Sequence, residues 1–404
     1  MLILHFRSKS HTFQANVNFF REFSSIIKNK TSSKISANNP KGVIHSKTEK
    51  RNDENIKKDV VGRTIHVVNG FCEMFCDILE MFNCVLIFSV KEDLKMKELE
   101  TKEHLSFKVN NVTDAFKNLP QKGKHEKFTR LPYFANIAPE HIQGYTQYEN
   151  GKLHFVFTHS SKGDYGRIVI TDGLTNKAKR IHTPKNWSHP AGIQCIGKYL
   201  FVPCGTDSKS KLCIYDVNEL ANEDLETNPP LKTIDFNHRG GSVGIVDFSL
   251  DGTPHYLLVL GDRGTYHAYI SPIPVDGDIT KTNFSRIGSY FVNYKKDKKI
   301  DCQGFGLVTD TSGEVFMIAL SSHGKGLSYA DWGYLIGLSV TKTSITPTEI
   351  NRRQFINNGG IDGVDGPHFR WGAGIRVTPS GKLVLLTTSR NIIIGGNLDT
   401  TYWA

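Results

Sequence analysis

The sequence predicts an all-β protein, a β-propeller over residues 128–404, and three observations predict it. Glycine is concentrated beyond residue 127, where 32 of the 36 glycines lie. Short runs of β-branched and aromatic residues alternate there with Gly-rich turns. The runs recur in five units, each opened by a glycine followed by an apolar residue.

The opening glycines are Gly144, Gly192, Gly244, Gly306 and Gly374, at intervals of 48, 52, 62 and 68 residues. A second apolar run follows each by roughly ten residues: Phe155-Val-Phe, Leu200-Phe-Val, Leu257-Leu-Val, Val315-Phe-Met-Ile and Leu383-Val-Leu-Leu. A polar turn leads to a third run: Arg167-Ile-Val-Ile, Leu212-Cys-Ile-Tyr, Tyr266-His-Ala-Tyr-Ile, Tyr334-Leu-Ile-Gly-Leu and Asn391-Ile-Ile-Ile. Weaker fourth runs include Lys177-Ala-Lys-Arg-Ile and Leu231-Lys-Thr-Ile-Asp-Phe. Four antiparallel strands per unit is the pattern of propeller blades. Glycine fits the first strand because the innermost strands crowd around a narrow axis.

The fifth unit reaches Ala404 with little room for a fourth strand. A bare strand edge would remain there. Phe128–Phe134 is therefore predicted to close the ring by pairing antiparallel with the last unit near Asn391–Gly395. Five blades is the count; six would follow if residues 104–127 or Phe284–Tyr294 formed another.

The Gly-Ile openings and apolar second strands resemble the repeat style of YncE-like and streptogramin lyase-like propellers. The resemblance covers residues 141–404 and concerns repeat style alone, so it implies a propeller and carries no catalytic residue across. The Trp-Asp dipeptide of WD40 blades does not occur.

Residues 1–63 hold 13 Lys/Arg and 5 Asp/Glu, whereas residues 128–404 hold 28 and 25. Most of the net charge of +10 therefore belongs to a basic leader, and no specific nucleic-acid binding by the body is expected. Residues 28–62 are poor in large apolar groups and are expected to be disordered. The first 21 residues carry Arg7, Lys9 and Arg21 and no acid, a composition that fits a mitochondrial transit segment or a solvated leader. Within residues 64–127, a helical N-terminal extension, Phe71, Phe75, Ile78, Leu79, Phe82 and Val85 recur at helical spacing. Glu73, Asp77 and Glu80 share another face, so an amphipathic helix over 67–89 is expected and no transmembrane segment. Seven scattered cysteines, an odd number with no C-x-x-C pair, argue against a disulfide scaffold or a zinc finger and favour a reducing, intracellular compartment.

Propeller sites lie where first strands and their preceding loops surround the channel. The six residues before each opening glycine contain His141, His189, His238, Asp301, His368 and Trp371. Fivefold geometry would let these side chains converge on one mouth and bind a ligand. His141, His189, Asp301 and His368 could share a divalent metal ion or act as acid and base. Equally, the histidines could tie blades together by hydrogen bonds, as structure only. Gly359–Gly366, with Asp362 and Asp365, reads as a Gly/Asp turn or a Ca²⁺ loop. The sequence thus supports a propeller that recognises a small molecule or protein partner at its channel mouth. A metal-dependent hydrolase or lyase using the His/Asp ring is the alternative, and the residues do not decide between them.

Overall fold

The computed structural model describes residues 105–132, 141–222, 228–295, 298–300, 302–325, 328–357, 366–392 and 396–404. The basic leader, the helix expected over 67–89, Asp301 and the Asp362/Asp365 turn lie outside the described residues. Among the described residues no helix is long and apolar enough to cross a membrane.

The body is mostly β. After helix α1 (Val112–Asn118) and strand β1 (Lys124–Phe128) come groups of four antiparallel strands. The first group is β2 (Ile142–Asn150), β3 (Lys152–His159), β4 (Arg167–Thr171) and β5 (Lys179–His182). The second is β6 (Gln194–Ile196), β7 (Tyr199–Gly205), β8 (Ser210–Asp216) and β9 (Lys232–Phe236), with helix α2 (Val217–Asn222) between its last two strands. The third is β10 (Ser242–Leu250), β11 (Thr253–Asp262), β12 (Thr265–Pro272) and β13 (Ser285–Phe291). A hairpin of β14 (Asn293–Lys295) and β15 (Lys298–Lys299) precedes the fourth: β16 (Gly304–Thr309), β17 (Val315–Lys325), β18 (Ser328–Val340) and β19 (Ile345–Phe355). The last group is β20 (His368–Val377), β21 (Leu383–Thr388) and β22 (Leu398–Trp403), completed by β1.

The pairing of β1 differs from expectation. Lys124–Phe128 runs antiparallel to Leu398–Trp403, with Phe128 opposite Leu398 and Lys124 opposite Tyr402. The predicted partners, Phe128–Phe134 and Asn391–Gly395, overlap this ladder at Phe128 alone. The Asn391 run is β-branched and looks like a strand, but the third strand of the last group starts after the Gly396 turn (φ 73°). Leu398, Thr400, Thr401 and Trp403 are buried there. The body also starts earlier than residue 128. The Val109 amide donates to the Thr309 carbonyl (3.0 Å), and Val112 and Phe116 are fully buried. Nor does either candidate segment form a further four-stranded group. Phe284–Tyr294 supplies β13, the fourth strand of the third group, and residues 105–127 supply α1 and most of β1.

Each pair of successive groups shares a hydrophobic cluster. Cys213 and Ile168 belong to the cluster between the first and second groups, and Leu212 and Tyr256 to that between the second and third. Leu257 and Met317 belong to the cluster between the third and fourth, and Ile318 and Leu385 to that between the fourth and last. Phe128, Leu386 and Phe157 join the last group to the first. Strands with neighbours on both faces bury both, so Tyr256–Leu260 is apolar throughout rather than alternating.

The first strands of the groups approach closely. A Cβ on Gly374 would lie 1.8 Å from the Tyr145 carbonyl oxygen, and one on Gly192 would lie 2.5 Å from that of Gln303. Any side chain at these two positions would force the backbones apart. Gln194 then bridges three groups: its Oε1 accepts from the Ile245 and Leu307 amides (3.0 and 2.9 Å), and its Nε2 donates to the Leu307 carbonyl (2.8 Å).

Candidate functional site

At the starts of the first strands, a cavity of about 230 Å³ is walled by Gln143, His189, Arg239, Asp262, Arg263 and Gln303 among others. His189 and Gln143 precede or open two first strands, Arg239 follows β9, and Arg263 sits in the β11–β12 hairpin turn. That turn has two residues with positive φ, Arg263 (46°) and Gly264 (77°), the signature of a type I′ turn. Burial, aided by the neighbouring His141 and Arg239 charges, pushes the His189 pKa down to about 4, against an opposing pull from Asp207. His189 is thus a neutral imidazole at neutral pH, and the fixed charges of the wall are two guanidiniums and one carboxylate.

Of the six sequence-predicted residues the five that are described form no single cluster of metal ligands, although His141 lies near enough to His189 to help lower its pKa. His141 accepts a hydrogen bond on Nε2 from the Gln143 amide (2.7 Å) and meets the Trp371 ring edge-on at 5.5 Å. Trp371 is flanked by the Arg370 and Arg390 guanidiniums at 5.3 and 5.2 Å, a cation–π arrangement. His368 turns instead toward the fourth group: its Nδ1 donates to Asp331 (2.8 Å). Asp331 is buried and also accepts from the Phe369 amide (2.9 Å), the Asn357 amide group and the Ser322 hydroxyl. A carboxylate so supplied with donors is held in place and orients the His368 ring. His238 donates from Nδ1 to the Arg239 carbonyl (2.9 Å), and its Nε2 lies 2.6 Å from the Tyr269 hydroxyl. Its ring centroid is 3.9 Å from that of His267.

Among the described residues, the one group of three His, Cys, Asp or Glu with ligand atoms within 4.8 Å of one another is His238, Asp262 and His267. Burial, with His238 and Arg286 nearby, lowers the His267 pKa to about 4. Neither Asp262 nor His267 falls in the windows before the opening glycines. His267 did carry a signal, as the one polar side chain in the third run Tyr266-His-Ala-Tyr-Ile. Asp262 did too, as the residue before a two-residue turn ending in glycine. Asp331 and Gln194 gave none, because nothing local marks a polar residue as the hub of a buried network.

A larger concavity, about 800 Å³, lies elsewhere, against β2–β5 and α2. Its polar walls include exposed Lys152, Lys177 and Asn150.

No protein-family profile matches the chain, and no curated protein sequence matches it. Similar solved structures include an α-L-arabinofuranosidase from Lactobacillus brevis, at 13% identity over 65% of this chain and 89% of that one, with a TM-score of 0.36. A GH43 protein from Bacillus licheniformis is 12% identical over 62% of this chain and 58% of its own, with a TM-score of 0.32. The Dos1 propeller is 6% identical over 62% and 51%, with a TM-score of 0.25. At these TM-scores the likenesses carry no argument about fold or activity, which rest on the strand pairing and the site.

Proposed function

We propose that the chain is a five-bladed β-propeller, closed by β1, that binds a small anionic molecule at the channel mouth. The four-stranded groups, the cyclic succession of hydrophobic clusters and the pairing of Lys124–Phe128 with Leu398–Trp403 support the fold. One observation carries the ligand class. The wall of the mouth cavity presents Arg239 and Arg263 with Asp262 as its one carboxylate, an exposed Asp207 lies outside the wall at 3.5 Å from Arg263, and His189, Gln143 and Gln303 add neutral polar groups. Guanidiniums are the side chains best matched to planar carboxylate or phosphate oxygens. A volume of about 230 Å³ admits a molecule smaller than the drug-sized ligands of ordinary pockets.

Calorimetric titration of the full chain with citrate and with inorganic phosphate, in the presence of chelator, tests this. Saturable binding by one of them, weakened at least about tenfold in Arg239→Ala, is the expected result, each lost charged hydrogen bond being worth about 1.5–3 kcal/mol. No saturable binding of either anion, or equal binding by the variant, would overturn the reading.

A further inference from the structure

We infer that His238, Asp262 and His267 form a binding site for a divalent d-block cation of the zinc class, on the seam between the second and third groups. The topology builds the site. Asp262 ends β11 and His267 lies near the start of β12, and in the ladder His267 stands opposite Leu260 while Asp262 stands opposite Thr265. Side chains alternate along a strand, so Leu260, Asp262 and His267 share one face of the hairpin. That face packs against the second group through Leu260 and Tyr269. His238 reaches the same seam from the segment after β9.

The donor set is chemically apt. Two imidazoles and a carboxylate suit zinc-class ions, and three protein ligands leave a fourth position open. Zinc bonds of about 2.0–2.2 Å place tetrahedral ligand atoms about 3.3 Å apart. The ligand atoms here already lie within 4.8 Å of one another, so small side-chain rotations suffice. The outer contact of His238 is the kind a metal-binding histidine needs. The Nδ1–H of His238 is committed to the Arg239 carbonyl, which leaves Nε2 to bind metal in place of its Tyr269 hydrogen bond. The Nε2 of His267 faces the Asp262 carboxylate at 4.0 Å, while its Nδ1 lies 2.7 Å from the Ser289 hydroxyl. The Arg286 guanidinium also faces that Nδ1 at 3.2 Å, so binding metal at Nε2 requires the Nδ1 proton to go to Ser289, whose oxygen has two lone pairs with Arg286 on one of them (2.6 Å). Asp262 also lines the mouth cavity, so the cation site and the cavity share a wall.

The site does not depend on the anion reading, and its test uses the metal alone. The full chain, stripped with chelator and dialysed, is titrated with Co²⁺ and then Zn²⁺ while visible absorption and heat are recorded. One Co²⁺ per chain with the intense visible bands of a four-coordinate site, displaced by Zn²⁺, is expected. Asp262→Asn and His267→Gln should each weaken binding at least about 100-fold, while His141→Ala binds as the wild type does. Circular dichroism and the melting temperature confirm that each variant is folded. Unchanged Co²⁺ binding in folded Asp262→Asn and His267→Gln would overturn the inference, as would no Co²⁺ binding by the wild type. Phosphate or citrate binding in chelator reports on the cavity separately, so either idea can fail without the other.

Discussion

The two ends of the first strands are built on opposite principles. At the mouth, Gly144, Gly192 and Gly374 let backbones meet, and the polar side chains stand back around a cavity. At the far end the space is filled. Gln194 binds three backbone groups, and Arg376 donates to Gln147 (3.0 Å) and pairs with Glu149. The N-terminal segment covers that end too, where the Ser106 amide donates to Asp247 (2.6 Å) and Phe107 lines a space of only about 50 Å³. One end spends its polar groups on its own backbone; the other keeps them for something else. Substitutions should therefore cost stability at the far end and binding at the mouth.

The largest effect is expected at Gln194. Replacing it by Leu keeps the volume but strips two buried amides and a carbonyl of their partner. Each buried group left unsatisfied costs about 1–3 kcal/mol, so Gln194→Leu should lose about 3–5 kcal/mol in urea unfolding. Gln303, which is exposed at the mouth, should lose less than about 0.5 kcal/mol as Gln303→Ala. Similar losses at both positions would erase the distinction between the ends.

His189 gives the mouth its acid sensitivity. Its folded pKa is about 4, against 6.5 for an unperturbed histidine. Above pH 6.5 both states hold a neutral ring and nothing changes. Between about 6.5 and 4 the unfolded chain takes up a proton that the folded chain refuses, so stability falls as pH falls. The groups behind the shift are the burial itself, His141 and Arg239, with Asp207 opposing. Discounted for partial solvent access, the loss from pH 7 to 4.5 is about 2 kcal/mol, and His189→Gln should remove that part. Urea midpoints at the two pH values measure it, and an unchanged pH dependence in the variant would refute this role.

Much of the repeat was legible, because recurring groups of four antiparallel strands show in sequence as spaced glycines and apolar runs. The glycines at 144, 244, 306 and 374 fall in first strands, and Gly192 lies two residues before one. The closing ladder was harder to read. Asn391-Ile-Ile-Ile has the composition of a strand, whereas Leu398-Asp-Thr-Thr-Tyr-Trp carries polar residues on buried positions. Thr400 and Thr401 are buried there, so local hydrophobicity pointed to the wrong segment. The site was half legible for a related reason. Histidines before the glycines were visible, but their partners come from elsewhere: Asp331 for His368, and Asp262 and His267 for His238. Contacts between strands far apart in sequence leave no spacing to detect.

A moderate effect is expected at Arg376. Its side chain is nearly buried and holds Gln147 and Glu149 across the seam between the last and first groups. Glu149 is substantially exposed, which weakens the charge component. Arg376→Ala should cost about 1–2 kcal/mol, from the hydrogen bond and the lost packing of its stem. Mouth ligands should bind unchanged. A shift in anion affinity would mean that the two ends communicate through the first strands.

The smallest stability effect has the opposite sign. Arg263 holds a left-handed backbone (φ 46°) at the first position of a two-residue turn where asparagine is preferred. A left-handed conformation costs an ordinary side chain about 1–2 kcal/mol, and asparagine part of that. The Arg263–Asp207 contact, 3.5 Å between two exposed groups, offsets little. Arg263→Asn should therefore gain about 0.5 kcal/mol while removing one of the two guanidiniums at the mouth. Stability up and anion affinity down in one variant is what a position kept for binding predicts. Urea unfolding and titration with phosphate and citrate on the same protein separate the two. A loss of stability would show that Arg263 supports the turn, and an unchanged affinity would remove it from the ligand's surroundings and leave the charge of the cavity to Arg239.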